Sequence, residues 1–196
     1  MNLQSRVINI LTKPEAEWAV IAAEPTDVAS LYTNYIVILA AVPALCTFLG
    51  LAMFGLPLLG SLGFGYALRA ACMSYVGSLL GVYIAALIIE KLAPNFGSSG
   101  STVQALKLVA YAYTPVWVAG VFHLLPVLGV LILIAALYSI YLFYLGLTPV
   151  MKTPPDKVVP FMVVSALVII AVSVLLSLVL GAIVGMGGYS GYGRFG

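Results

Sequence analysis

The chain has 196 residues, of which 63% are hydrophobic and 7% are charged, and its mean hydropathy is +1.18. Soluble domains carry about 25% charged residues, so this composition excludes an ordinary soluble domain and predicts a membrane protein. The formal net charge of +2, without any Lys/Arg-rich run, speaks against a nucleic-acid partner.

Residues 1–27 predict a cytoplasmic or interfacial segment with one or two short amphipathic helices. Between residues 2 and 11, apolar side chains recur at helical spacing and polar side chains lie opposite. This pattern is typical of a helix in the membrane interface. The apolar positions are Leu3, Val7, Ile10 and Leu11, and the polar positions are Asn2, Ser5, Arg6 and Asn9.

A second helix is expected to begin at residues 12–15, TKPE, and to end near Pro25. In this motif Thr12 and Glu15 have the spacing of a capping box, with proline in the tolerated first turn. Trp18, Ile21 and Glu24 mark the helix as a candidate docking helix for a partner. The alternative is a lead-in to the first span that lies along the membrane.

Four long stretches without a charged side chain predict the membrane spans. They cover residues 28–68, 70–89, 108–151 and 158–193, which are 41, 20, 44 and 36 residues long. About 20 apolar residues of helix cross a bilayer core of roughly 30 Å, so the 44-residue stretch is long enough to cross twice. The expected spans are residues 31–54, 70–89, 108–123, 126–147 and 158–184.

Residues 55–68 are apolar but rich in glycine, and they fit a sixth span, a re-entrant turn or an interfacial loop. Cytoplasmic segments carry an excess of Lys and Arg, and this rule helps to choose between five spans and six. With five spans and a cytoplasmic N-terminus, six of the eight Lys and Arg residues lie inside, whereas six spans divide them equally. We therefore predict five spans, with the C-terminus outside. The six inner residues are Arg6, Lys13, Lys91, Lys107, Lys152 and Lys157, and the two outer ones are Arg69 and Arg194.

Charged side chains are expected only at the ends of the predicted spans. Lys107, for example, directly precedes the third span, where a long side chain can reach the lipid headgroups. Buried charges usually mark a transport pathway, so this distribution argues against proton-coupled transport. No catalytic set, metal-ligand spacing or cofactor motif is readable, and we predict that the protein is not an enzyme.

Tyrosines in the third and fourth spans predict a polar feature between these two helices. Pro115 lacks an N–H and should kink the third span, next to Thr114. Tyr111 and Thr114 of one span, with Tyr138 and Tyr141 of the other, then line a candidate polar cleft. The alternative is that the tyrosine hydroxyls form hydrogen bonds within a closed helix pair.

Small residues at four-residue spacing predict two helix-packing faces. Gly77, Gly81 and Ala85 lie in the second span, and the fifth span contains a longer series. Such faces let helix backbones approach closely, either within the bundle or between two copies of the chain, so a homo-oligomer stays an open alternative. The series in the fifth span is Ser173, Ser177, Gly181 and Gly185.

These predictions divide the chain into three segments. Residues 1–27 are the amphipathic segment, residues 28–185 the five-span membrane domain and residues 186–196 a Gly/Tyr-rich, low-complexity tail. The expected fold is an all-α, polytopic transmembrane helix bundle.

Four stretches of the chain carry a resemblance to a known family. They are the residues Pro14, Trp18, Ile21 and Glu24, the segment 85–97 (AALIIEKLAPNFG), the segment 105–115 (ALKLVAYAYTP), and residues 126–146 with their LYSIYLFYLG ending. In this order and spacing, the chain resembles the Yip family (Ypt-interacting proteins) of five-span membrane proteins, and in particular its short bacterial branch.

The resemblance implies a five-span protein of the bacterial inner membrane. Eukaryotic members are associated with Golgi and endoplasmic-reticulum trafficking, bind Rab-type GTPases and have longer cytosolic N-termini. This chain has only about 27 residues before its first span and lacks their tyrosine- and proline-rich cytosolic motif. GTPase binding is therefore not carried over.

Two functional hypotheses follow from the sequence. The first is a non-enzymatic protein that organises the membrane or binds an unidentified membrane or cytoplasmic protein through its bundle and its N-terminal helices. The second is a transporter or channel for a small uncharged solute, built around the kink at Pro115 with residues 55–68 as a re-entrant element. In both, the lipid bilayer is a partner and no cofactor is expected.

Overall fold

The computed structural model describes residues 2–54, 63–125 and 128–189; for residues 176, 177 and 179–189 it describes the backbone alone. In these ranges every regular element is a helix. Five helices are long and apolar enough to cross a membrane. The predicted all-α, five-span bundle is therefore confirmed. The spans are Val28–Phe54, Phe64–Phe96, Thr102–Leu124, Gly129–Met151 and Pro155–Leu175.

The described ranges contain nine α-helices, which are numbered in chain order. They are α1 (Leu3–Thr12), α2 (Pro14–Ala23), α3 (Val28–Leu31), α4 (Val37–Phe54), α5 (Phe64–Leu92), α6 (Thr102–Ala112), α7 (Thr114–Ala119), α8 (Gly129–Met151) and α9 (Val158–Tyr189). A π-helical turn, Tyr32–Ile36, joins α3 to α4, and 3₁₀ turns extend α5 at Ala93–Phe96 and α7 at Gly120–Leu124 and precede α9 at Pro155–Lys157.

Helices α1 and α2 are separated by one residue and pack on each other, and we call this pair the N-terminal hairpin. Asn2 caps α1 by accepting a hydrogen bond from the Gln4 backbone N–H at 3.0 Å. The predicted capping box is wrong, because the Thr12 hydroxyl donates back to the carbonyl of Ile8 at 2.7 Å and α2 begins without a side-chain cap. Pro14 does lie in the first turn of α2, where its missing N–H costs little.

Asp27 caps the helix that opens the first span. Its carboxylate accepts hydrogen bonds from the backbone N–H of Ser30 at 2.8 Å and from the Ser30 hydroxyl at 2.9 Å. These hydrogen bonds stabilise the ionised carboxylate and lower the pKa of Asp27 below its usual value. The cap is therefore complete above the ordinary carboxyl pKa and weakens as the pH falls through the lowered one.

The second span begins earlier than predicted. Helix α5 starts at Phe64, after Gly63 in a left-handed conformation with φ +76°, so residues 64–68 of the predicted glycine-rich loop are helical. An ordered helix can begin there because Gly63 adopts a φ that other residues avoid. The rest of that segment, residues 55–62, lies outside the described residues.

The third span is the centre of the bundle. Of its most apolar stretch, 72% is buried, against 17–28% for the other four spans. Helix α6 packs on α5 and α8, and α7 packs on α4 and α8. The span is interrupted at Tyr113, and Pro115 lies in the first turn of α7, as the predicted kink requires.

Polar contacts join the helix ends on the side where the second span ends and the third begins. The Ser98 hydroxyl donates to Thr153 at 2.9 Å, and the Ser99 backbone N–H donates to the Met151 carbonyl at 2.9 Å. The rings of Phe96 and Phe161 stack with centroids 5.0 Å apart. These contacts hold the second, fourth and fifth spans together at this end of the bundle.

Helix α9 continues beyond the predicted membrane domain to Tyr189, so residues 186–189 of the predicted tail are helical. Residues 190–196 lie outside the described residues. In the fifth span, Ser173 is exposed, so this member of the predicted packing series does not lie at an interface within the described bundle. The side chains at positions 177, 181 and 185 are among those that the structure leaves undescribed.

A glycine of the third span, Gly120, lies at a close helix contact, whereas Gly81 of the second span does not. At Gly120 a Cβ atom would lie 2.6 Å from Cβ and 2.8 Å from Cα of Pro43, so the first and third spans approach too closely there for a side chain at position 120. At Gly81 a Cβ would meet nothing within 4 Å. The predicted packing face in the second span therefore buries Ala85, but not Gly81, against the rest of this chain.

We expect Gly120→Ala to destabilise the protein by about 1–3 kcal/mol, because the added methyl group overpacks a contact with backbone atoms of Pro43. Gly81→Ala is the matched control, and it should be neutral or stabilising by up to about 1 kcal/mol. Thermal unfolding in detergent, followed by size-exclusion chromatography, measures both. Equal stability of the two variants would contradict the close approach of the two spans.

Candidate functional site

Arg6 is completely buried, although the sequence placed it on the polar face of α1. Its guanidinium donates to a carboxylate oxygen of Glu17 and to one of Glu24, and so bridges the two acids. The guanidinium carbon also lies 5.5 Å from the centroid of the Tyr111 ring, in cation–π contact. The expected outward position of Arg6 is wrong, because its ion pairs lie inside the protein.

Lys107 is the second buried cation, with 3% of its surface exposed. Its ammonium group donates to the backbone carbonyl of Ile21 at 2.9 Å and to that of Glu24. These carbonyls lie at the C-terminal end of α2, where a cation is favoured by the helix dipole and by the free carbonyls. The expectation that Lys107 extends to the lipid headgroups is therefore wrong.

We call Arg6, Glu17, Glu24 and Lys107 the charged cluster. Two cations and two carboxylates balance within it, which reduces the large cost of burying each charge alone. Glu17 is the more enclosed acid, with 9% of its side chain exposed against 38% for Glu24. The cluster connects α1, α2 and the third span, so it holds the N-terminal hairpin on the bundle.

Trp18 provides the apolar part of the same attachment. It is 1% exposed and meets Tyr111 edge to face, with ring centroids 6.4 Å apart. A Cβ at Gly146 would lie 2.8 Å from the Trp18 ring and 2.6 Å from Leu108, so only glycine leaves room for this indole against α8. The hydroxyl of Tyr138 adds a hydrogen bond of 2.9 Å to the backbone carbonyl of Leu11.

The predicted polar cleft is divided between two different contacts. The Thr114 and Tyr35 hydroxyls share a hydrogen bond of 2.7 Å, and the Tyr35 ring lies 4.5 Å from that of Tyr111. Tyr138 instead bonds to the hairpin, and Tyr141 is 45% exposed. The structure thus joins the third span to the first and the fourth span to the hairpin. Pro115 is buried beside Thr114, at the start of α7.

The candidate docking helix is docked on its own bundle. Trp18 and Ile21 are each 1% exposed, and Glu24 is paired with Arg6. The sequence prediction missed Arg6, Glu17, Lys107 and Tyr35 as members of this site. A signal was present, because Glu17, Ile21 and Glu24 share one helix face at spacings of four and three residues. Leu3, Arg6 and Ile10 have the same kind of spacing in α1.

Among the described residues, no group of three or more His, Cys, Asp or Glu side chains is placed to hold a metal ion. The chemistry of the site is therefore described by its ion pairs, its backbone acceptors and its aromatic contacts. The ion pairs join α1 to α2, and the Lys107 hydrogen bonds and the aromatic contacts join the hairpin to the third span, so the site acts as an attachment.

Arg6→Met should release the hairpin, because it leaves the buried carboxylate of Glu17 and the partly exposed one of Glu24 without their cation and removes the cation–π contact with Tyr111 of the third span. Removing one partner of a buried ion pair costs about 3–5 kcal/mol. Hydrogen exchange of the α1 and α2 amides in lipid nanodiscs measures the release as faster exchange. Lys13→Met removes the same charge from an exposed position and is the matched control. Unchanged exchange in Arg6→Met would contradict the proposed role of the cluster.

Comparison with known proteins places this fold in a family. A family model described as the Yip1 domain matches residues 8–178. The chain is also similar to the inner membrane protein YohC of Escherichia coli (strain K12) and to the same-named protein of Escherichia coli O6:H1. Each is 28% identical over 150 residues, which cover 73% of this chain and 77% of the relative.

No solved structure matches the chain. The family model nevertheless spans all five membrane helices, the hairpin from Ile8 onwards and three of the four members of the charged cluster. The resemblance to the Yip family, which rested on residues scattered along the sequence, is confirmed by this match. The chain is an integral membrane protein that belongs to the Yip1 domain family.

Proposed function

We propose that this chain is a non-enzymatic, partner-binding protein of a bacterial inner membrane, with its N-terminus in the cytoplasm. The relative in Escherichia coli is named an inner membrane protein, which supports the location. The excess of Lys and Arg at one end of the spans supports the orientation, because cytoplasmic loops carry such an excess.

The single observation that carries the proposal is the firm attachment of the N-terminal hairpin to the bundle. A helix pair that only covered the membrane surface would need no buried ion pairs, yet this one has a charged cluster and a tryptophan fitted against Gly146. Attachment in one orientation leaves a defined surface for recognition, since little conformational entropy is then lost on binding.

The exposed side of α1 is the surface that we assign to a protein partner. Gln4, Ser5 and Asn9 point away from the bundle, and each offers hydrogen-bonding groups without a net charge. With Ile8, which is 50% exposed, this edge combines polar side chains with one apolar side chain, so it suits a transient protein partner, and it differs from the face with Trp18 that the sequence had suggested.

Solute transport receives less support from the geometry. Of the residues expected to line a cleft between the third and fourth spans, Thr114 and Tyr138 form hydrogen bonds elsewhere, Tyr141 is exposed and the Tyr111 ring packs against Tyr35. A homo-oligomer also stays a proposal. The space beside Gly81 is open, so this face of α5 is free to contact lipid or a second copy of the chain.

Photocrosslinking in living cells tests the partner-binding role. Benzoylphenylalanine at Asn9 or Gln4 should give the same discrete protein adduct, and the adduct should disappear when Arg6→Met releases the hairpin. Asn95, which is exposed in the turn after α5, is the control position and should not give this adduct. Identical adducts from all three positions, or none from α1, would count against the proposal.

Topology is tested separately by reporter fusions. A fluorescent protein that folds only in the cytoplasm should be dark when fused after Gly196, and a periplasmic phosphatase should be active there. The same reporters fused before Met1 should give the opposite pattern. Cytoplasmic fluorescence from the C-terminal fusion would reverse the proposed orientation.

A further inference from the structure

The N-terminal hairpin extends along the third and fourth spans to the middle of the bundle. The hydroxyl of Tyr138 donates to the carbonyl of Leu11, one residue before α1 ends. Tyr138 lies thirteen residues before Met151, the last residue of α8, which is about 20 Å at a helical rise of 1.5 Å. The hydrocarbon core of a bilayer is roughly 30 Å thick. The end of α1 therefore lies near the midpoint of the fourth span.

Contacts with the third span give the same depth. Glu24, after the end of α2, is bound by Lys107 in the second turn of α6, whereas Trp18 meets Tyr111 one turn further along the span. Helix α1 also packs on α7, which begins only at Thr114, beyond the interruption of the third span. The hairpin thus enters beside the spans, with Glu24 near the end of the bundle and the connection between α1 and α2 deepest.

This deepest part of the hairpin is polar. We call residues 12–15 its tip, and Thr12, Lys13 and Glu15 are exposed there. Within the residues that the structure describes, neither Lys13 nor Glu15 has an ion pair. A charged side chain that faces hydrocarbon at this depth is costly, and local thinning of the bilayer relieves the cost by bringing water and headgroups to the charge.

Exposed tyrosines beside the tip have the character of a membrane interface. The ring of Tyr141 lies 5.8 Å from that of Tyr138, which binds the hairpin, and Tyr141 is 45% exposed. It lies ten residues, or about 15 Å, before the end of α8. Tyrosine is enriched at the boundary between membrane and water. Helix α8 therefore carries an interfacial side chain well inside the length of its span.

The polar surface does not continue across the bilayer. From Gly129 to Leu137, helix α8 has no polar side chain. Val130, Leu133 and Leu137 are each more than half exposed, as is usual for side chains in contact with hydrocarbon. The polar surface thus reaches about halfway along the span, so it affects one leaflet and offers no route through the membrane.

We infer that phospholipid headgroups of the leaflet on the hairpin's side extend inwards to the tip, so that the protein thins this leaflet beside α1 and α8. The tip carries one cation and one anion, which match the phosphate and the amine of a zwitterionic headgroup. Lys13 binds the phosphate as a compact positive charge. This inference goes beyond partner binding and does not depend on which side is the cytoplasm. Gln4 and Ser5, where the proposed partner surface begins, lie two turns before the tip.

Photolabelling in nanodiscs tests the position of the headgroups. The nanodiscs contain phosphatidylethanolamine and phosphatidylglycerol, with a trace of phosphatidylcholine that carries a diazirine either in its headgroup or at the end of one acyl chain. The headgroup probe should label residues 12–15, and the chain-end probe should label Leu137. Leu137 is the reference for this depth, because it adjoins Tyr138 and lies nine residues, or half a turn in direction, from Gly146.

Each other labelling pattern would overturn the inference. Labelling of the tip by the chain-end probe, without the headgroup probe, would show that hydrocarbon surrounds it. If neither probe labels the tip while Leu137 is labelled, a protein surface covers it and the leaflet is not thinned there.

Variants of Lys13 test its contact with the phosphate. Lys13→Leu should lose most of the headgroup labelling at residues 12–15, whereas Lys13→Arg keeps the charge and should keep the labelling. Labelling of Leu137 by the chain-end probe should be the same in both variants. Hydrogen exchange of the α1 and α2 amides confirms that the hairpin stays attached. Equal headgroup labelling in Lys13→Leu and Lys13→Arg would exclude the assigned role of Lys13.

Spin labels separate headgroups from water alone. In a variant with Cys46 and Cys72 replaced by alanine, a nitroxide at position 12 or 137 is exposed to a water-soluble nickel complex and to oxygen. Position 12 should collide more with nickel and less with oxygen than position 137. Equal accessibility at the two positions would contradict the thinning. High nickel accessibility without headgroup labelling would identify a water-filled recess, and the inference would be wrong.

Discussion

The buried guanidinium of Arg6 lies between two carboxylates, and the arrangement of the N-terminal hairpin depends on it. A buried charge is stable only when it is paired and hydrogen-bonded, so Arg6, Glu17 and Glu24 constrain each other's positions. Lys107 extends the constraint to the third span by binding the carbonyls at the end of α2. The hairpin is thereby attached to the most buried helix of the bundle.

The burial of the four charges in this cluster therefore has a structural explanation that does not involve a transport pathway. Each cation of the cluster is occupied by a carboxylate or a backbone carbonyl within the same chain. What the cluster provides is orientation, because it fixes which side of α1 faces away from the bundle. A fixed surface of this kind is the physical basis of the proposed partner-binding role.

Much of the fold was predictable because the bilayer imposes a simple rule on the sequence. Apolar stretches of about 20 residues without charge become spans, and the five predicted spans agree with the five helices apart from their ends. Pro115 predicted the interruption of the third span, and the match to the Yip1 domain agrees with the resemblance seen in the sequence. The start of the second span at Phe64 was missed, because apolar loop and apolar helix look alike in composition.

The site itself was predicted less well, and particular residues explain why. Arg6 was placed on the polar face of α1 because it lies opposite the apolar positions of that helix, and only its partners eleven and eighteen positions later make burial favourable. Tyr111 and Tyr138 were expected to line the same cleft because they occur in adjacent spans. In the structure they contact Tyr35 and Leu11, which come from distant parts of the sequence.

The sequence alone determined that this protein crosses a membrane five times as a helical bundle with two short helices in front, because hydrophobicity and helix length act locally. It also carried the family relationship, through short motifs in a constant order. Only the tertiary structure decided where those two helices lie and which charges they bury. These outcomes depend on pairing between residues far apart in the chain, and a pattern read along one dimension does not contain the distances between them.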